Sequence, residues 1–165
     1  MTVQDPATGK TRFAVVPASY VLLLRETEHG EDGAGTEVLL QLRRNTGYMD
    51  GFWAAAAAGH VERGETAEAA ARREALEEIA VTDLDLTFAT AMQRTAHDLP
   101  IDERIDFFFT ARSWSGEPRI VETAKCADLR WFPLSRLPDP VVPHEAVVLA
   151  GLRRGDLAAL THHGF

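Results

Sequence analysis

The chain has 165 residues, with 17 Lys and Arg against 25 Asp and Glu, a net charge of −8, and 45% hydrophobic content. That length suits one domain with a sizeable core, and the acidic balance excludes general binding to nucleic-acid polymers or anionic membrane surfaces. The single cysteine, Cys126, excludes an internal disulfide and agrees with a reducing, cytoplasmic location. No apolar run approaches the length of a membrane span, and MTVQDPATGKTRF lacks the apolar stretch of a secretory signal.

Residues 1–12 are expected to be a poorly ordered lead into a single domain covering 1–165. Residues 13–25 read as a strand region with a nearly continuous apolar stretch, interrupted at Pro17, which suits a strand covered on both faces. Residues 27–36, with three glycines, predict a polar loop or hairpin connection. A second strand follows at 37–43, then Asn-Thr-Gly and Asp-Gly turn signals at 45–51. Five alanines, 54–58, are a local oddity. The spacing predicts a helix over 66–80 and a strand over 84–95. Residues 103–112 alternate, with Ile105, Phe107, Phe109 and Ala111 on one face and Asp106, Phe108, Thr110 and Arg112 on the other. A short strand at 129–134 and a helix at 143–154 complete the order, which fits α+β or a sheet sandwiched by helices.

The most informative segment is 59–81, GHVERGETAEAAARREALEEIAV. At ~100° per residue, Glu74, Glu77 and Glu78 share one helix face. Like charges at i and i+4 repel, and Ala67, Ala70 and Ala71 on that face supply no counterion. Arg73, at the edge, offsets one carboxylate and not three. A hard divalent cation, Mg²⁺ or Mn²⁺, resolves the conflict because both favour oxygen ligands. Thr66 is the candidate N-cap, and Glu65 beside it either joins the metal chemistry or orients the loop.

These residues resemble the Nudix box: Gly, five residues, Glu, seven residues, Arg-Glu, apolar, any, Glu-Glu, any, Gly, apolar. The chain matches at Gly59, Glu65, Arg73, Glu74, Glu77, Glu78 and Val81, and departs at Ala80, where the family has glycine. Glycine there would end the helix rather than bind anything. The downstream GEPRIVETAKC, with Asn45 to Tyr48 and Asp50-Gly51 ahead of the box, resembles a bacterial subset of the family, so the likeness runs from about residue 13 to 152. Many members of that subset have Leu-Pro where this chain has Ala56-Ala57, which makes the loop before Gly59 less rigid.

The resemblance implies an α/β/α sandwich with a central mixed sheet and a loop–helix–loop metal site. It implies a phosphoanhydride hydrolase that splits a nucleoside diphosphate linked to a group X into a nucleoside monophosphate and phosphorylated X, with a nucleoside triphosphate the favoured substrate. It places the metal on Glu74, Glu77, Glu78 and the Gly59 carbonyl, with Glu122 or Glu117 of the later loop as a further carboxylate, and gives Arg73 an orienting role. Glu74 is the first candidate to accept the attacking water's proton. Arg43, Arg44, Arg94 and Lys125 are candidates for phosphate, and His60 could reach it. Tyr48, Phe52, Trp53 and Phe108 are candidate base-stacking rings, with core packing favoured for Trp53. His162 and His163 are expected at the surface, and Cys126 in a structural role. Two other classes stay open: a non-catalytic nucleotide-binding or regulatory module, and a diphosphate isomerase that would need a reactive cysteine. A homodimer is compatible with the family.

Overall fold

The computed structural model describes residues 2–30, 33–97 and 99–165. A long strand, β3 (Val16–Gly30), organises the molecule. Its first half lies between β8 (Arg104–Ala111), parallel to it from Val16↔Arg104 to Leu23↔Ala111, and β6 (Ala57–His60), antiparallel from Ala18↔His60 to Val21↔Ala57. Its second half leaves these neighbours and pairs antiparallel with β4 (Gly33–Arg43). β4 in turn carries β5 (Trp53–Ala55) and β9 (Cys126–Pro133), both antiparallel. Beyond β8 come β7 (Leu86–Arg94), antiparallel, and β10 (Leu160–His163), parallel to β7. The sheet is therefore mixed.

The near-continuous apolar run of β3 is explained by its two covered faces. Ala18, Tyr20, Leu22 and Leu24 pack with Phe108, Met92 and Val148 and Leu149 of helix α2 (Pro143–Arg154). Val21 and Leu23 pack with Leu39, Phe109 and Ala71, Ala75 and Ile79 of helix α1 (Ala67–Ile79). Each fully buried Leu here contributes roughly 1.5–3 kcal/mol. One helix covers each face, giving the expected α/β/α sandwich.

The alanine run finds its reason in this packing. Ala56 and Ala57 join the α1 cluster while Ala55 joins the α2 cluster, all fully buried. Small side chains on β6, met by Ala71 and Ala75 on α1, let helix and strand approach closely. Pro17 sits in the second position of β3, where its carbonyl accepts the Val61 N–H at 3.0 Å.

Several expectations are corrected. Residues 2–13, read as a lead into the domain, carry a small exposed hairpin, β1 (Thr2–Gln4) with β2 (Thr11–Phe13). The two glycine-flanked strands extend into the expected loop, to Gly30 and from Gly33, and the tip at 31–32 lies outside the described residues. β10 gave no sequence signal. Phe108, a candidate stacking ring, is fully buried and stacks on Tyr20 at 4.4 Å between centroids. Trp53 instead keeps the core packing favoured for it, edge-on against Phe132 at 4.7 Å. His162 is exposed, but His163 is half-buried in β10 with its ring 6.2 Å from that of His144.

Candidate active site

Thr66 sets the start of α1: its hydroxyl accepts the Ala69 N–H at 3.1 Å, as an N-cap does. From that start Glu74 and Glu78 face β6. Glu74 lies directly on Gly59, where an added Cβ would stand 2.0 Å from Oε1 and 2.2 Å from Cδ. Only glycine leaves room for that carboxylate. Glu78 Oε2 accepts the Ala58 N–H at 3.1 Å and a Gln41 Nε2–H at 3.3 Å. Glu77 points outward, its side chain 55% exposed.

The loop after β8 is tied to the last turn of α1 by Arg119 N–H to the Ile79 carbonyl at 3.1 Å and Val121 N–H to the Glu78 carbonyl at 3.0 Å. This brings Glu122 within electrostatic reach of Glu74 and Glu78. Burial pushes the Glu78 carboxyl up to about 7, with Ala58 N–H opposing and the charges of Glu74 and Glu122 adding. Glu74 is also raised, first by burial, with Arg73 pulling it down and Glu77 and Glu122 pushing it up. Neighbouring carboxylate charge thus adds to burial in raising both Glu74 and Glu78.

Arg73 does more than stand at the edge of the face. Its Nε and Nη2 bind Glu65 bidentately at 2.9 and 3.0 Å, Nη1 reaches Glu74 at 2.5 Å and Glu77 at 3.3 Å, and Nη2 also donates to the His60 carbonyl at 3.0 Å. Glu65 accepts the Glu62 N–H at 3.0 Å as well, so it fixes the loop before the helix. Among the described residues no group of three or more His, Cys, Asp or Glu side chains is placed to hold a metal ion as it stands. The contacts give the reason: Arg73 draws Glu74 and Glu77 towards itself, while Glu78 is turned to Ala58.

Gly59 is also part of the wall of a cavity of about 550 Å³. Of the sequence candidates, Arg43, Tyr48, Gly59, His60 and Arg94 line it. Arg43 is braced by Nε to the Tyr48 carbonyl at 2.8 Å and Nη2 to Thr46 Oγ1 at 3.0 Å. Arg44 and Lys125 are placed elsewhere: Arg44 donates to the Thr123 carbonyl, and Lys125 Nζ pairs with Glu122 at 3.1 Å. Cys126 is buried, its thiol raised by burial and bonded to the Asp128 carbonyl at 3.1 Å.

The rest of the wall was missed by sequence reasoning. Tyr20 comes from β3, Arg104 from β8, and His144 and Glu145 from the first turn of α2. Behind them Asp106, fully buried, binds Arg94 Nε at 2.8 Å and stands 3.4 Å from Arg104 Nε. His144 is pushed down to about 2 by burial and by Arg94, so it is neutral, and its Nε2 meets the Tyr20 hydroxyl at 3.3 Å. Glu145 accepts the Ala55 N–H at 2.5 Å, and complete burial pushes it up to about 7. One signal was available: Asp106 is a lone acid amid the aromatic residues of its strand.

With this geometry in hand, comparison with known proteins is specific. A family model described as NUDIX domain matches residues 16–152. Among solved structures, a MutT NUDIX hydrolase from Burkholderia pseudomallei is similar at 24% identity and TM-score 0.63, over 80% of this chain and 96% of that one. The NUDIX domain of Shewanella oneidensis NrtR, complexed with ADP ribose, is similar at 21% identity and TM-score 0.65, over 91% and 92%. A C. elegans Ap4A hydrolase is similar at 17% identity and TM-score 0.58, over 84% and 96%. No curated protein sequence matches. These structural likenesses carry the fold, and the family match spans most of the chain. The chain belongs to the NUDIX domain family.

Proposed function

We propose that this protein, as one domain, is a Mg²⁺-dependent (or Mn²⁺-dependent) pyrophosphohydrolase of nucleoside diphosphates linked to a group X, with a nucleoside triphosphate as the favoured substrate. The observation that carries the reading is that one glycine serves two features: Gly59 lines the cavity on one side and seats the Glu74 carboxylate on the other. The cavity is therefore next to a carboxylate cluster short of positive partners. One similar structure is complexed with ADP ribose and another is an Ap4A hydrolase, and both compounds are nucleotides of the same general class.

The donor chemistry fits a hard cation, since it is all oxygen and the charge of neighbouring carboxylates helps to raise Glu74 and Glu78. Gly59 carbonyl, Glu74, Glu77, Glu78 and Glu122 would hold it, with Glu77 released from Arg73. When bound, the cation neutralises the diphosphate and lowers the pKa of coordinated water. The chain's own residues do the rest. Arg73 holds the Glu65 loop and the His60 carbonyl in register with the helix, so that Gly59 and Glu74 stay in contact. Glu74, held against Gly59, is the residue placed to accept the attacking water's proton. Arg43, fixed by Tyr48 and Thr46, offers its guanidinium to phosphate oxygens. The cytoplasmic location and the homodimer belong to the same proposal; among the described residues no helix is long and apolar enough to cross a membrane.

Hydrolysis across a panel of nucleotides and nucleotide sugars, with and without Mg²⁺, tests this reading in wild type, Glu77→Gln and Glu78→Gln. Activity that requires Mg²⁺ and collapses in both variants is expected. Micromolar nucleotide binding without turnover would transfer the reading to a binding module. The isomerase reading gains no support from Cys126, whose thiol is buried and raised.

A further inference from the structure

Two arginines in the cavity wall share one carboxylate. Asp106, fully buried, takes Arg94 on Oδ2 at 2.8 Å and Arg104 beside Oδ1 at 3.4 Å. The second pairing lacks hydrogen-bond geometry: Arg104 Nε and Asp106 Oδ1 are buried polar atoms with no hydrogen-bond partner. The other contacts are sparse. Arg94 Nη1 reaches the Tyr48 hydroxyl only at 3.5 Å, and Arg104 Nη1 meets His60 Nε2 at 3.0 Å. His144 is neutral and compensates nothing. Of the other wall carboxylates, Glu145 holds the Ala55 N–H and feels Arg43 more than Arg94, and Asp102 stands on the rim turn at Pro100–Asp102.

A buried charged group of this kind is poor evidence for stability, because desolvation consumes most of the Coulombic gain. An Arg–Asp–Arg cluster facing a cavity is better explained by what enters the cavity. Guanidinium forks match phosphate oxygens bidentately. Through His60, Arg104 is one residue from Gly59, so the pair adjoins the carboxylate end.

We propose that Arg94 and Arg104, braced on Asp106, form a fixed anion subsite that receives a phosphate beyond the pair held at the carboxylate end, and so select triphosphates over diphosphates bearing a neutral X. Asp106 is the positioning residue, and Arg104, the more accessible of the two arginines, is the one that reads the anion. The substrate preference rests on the hydrolase reading above, but anion binding by the subsite does not.

The test separates the two. Calorimetric titration of inorganic phosphate into the metal-free protein in chelator reads the subsite without turnover. Phosphate should bind wild type and Glu78→Gln, and at least about tenfold more weakly to Arg104→Gln. Arg104→Lys keeps a charge beside Asp106 but loses the fork. It should also bind weakly, and it carries the test if the glutamine variant fails to fold. In turnover, Arg104→Gln should lower kcat/KM for ATP at least about tenfold, mainly through KM, while changing ADP-ribose less than about threefold. Equal phosphate binding in wild type and both Arg104 variants overturns the subsite, as does an equal loss on both substrates. If no compound turns over but phosphate binding falls in the Arg104 variants, the subsite stands and the hydrolase reading fails.

Discussion

Ala80→Gly should stabilise this protein. Ala80 ends α1 with φ 59° and ψ 35°, and its N–H is shared between the Ala75 and Leu76 carbonyls. An L-residue in that left-handed region carries a steric cost of roughly 1–2 kcal/mol that glycine escapes. Glycine loses roughly 0.5–1 kcal/mol of that gain through its larger unfolded-state entropy. The side chain is only partly buried, so its removal leaves no sizeable cavity. The net expectation is about 1 kcal/mol of added stability, or a rise of about 2–4 °C in melting temperature for a domain of this size. Thermal and urea unfolding followed by tryptophan fluorescence would read it, with an unchanged urea slope as the sign that only stability moved. Ala80→Val should move the other way by more than about 1 kcal/mol, since a branched Cβ fits the left-handed region worse. A melting temperature that falls or stays fixed in Ala80→Gly would refute the claim that backbone strain is stored there.

Two further outcomes follow from the site. Gly59→Ala puts a methyl within 2.0–2.6 Å of the Glu74 carboxyl atoms, so Glu74 must move; activity should fall on the order of 100-fold, and an alanine variant as active as wild type sinks the seating argument. Glu145 has its folded pKa raised by burial to about 7, above its ordinary 4.5. Folding therefore takes up a proton, and this residue's share of stability is lost as pH rises from about 4.5 through 7. Glu145→Gln should thus gain melting temperature relative to wild type at pH 8 compared with pH 5, and a difference independent of pH would count against it.

What was legible in the sequence was what lies on one continuous stretch. The α1 face could be read because 3.6-residue periodicity places Glu74 and Glu78 together regardless of the rest of the fold. The α2 boundaries could be read because Pro143 opens the helix and Gly155 closes it. The meeting of the cavity wall could not be read, although Arg43, Tyr48, Gly59, His60 and Arg94 were each candidates. Tyr20, Arg94, Arg104 and His144 meet only because β3 lies beside β8, β8 beside β7, and α2 across that sheet. Asp106 and Phe108 share one strand face, and no periodicity tells a buried ion pair from an exposed acid beside a ring. β10 failed for another reason: four residues, LTHH, are too short and too polar to show an alternating pattern, and its place is fixed by pairing with β7.

The two halves of the site also answer a problem set by composition. A chain of net charge −8 repels a polyanion at long range, so capture depends on charge placed where solvent screens little. At one end of the cavity the carboxylates are crowded until they favour a cation or a proton. At the other, Arg94 and Arg104 share the buried Asp106, where the proposed subsite takes an anion. Because Arg73 clamps Glu74 and Glu77, carboxylates and arginines do not neutralise one another across the cavity. Instead Gly59 and His60 stand between them: Gly59 takes the Glu74 carboxyl against its backbone, and the His60 ring takes Arg104. For the proposed phosphoanhydride substrate, this separation, rather than the total charge, is what fits an acidic protein to it.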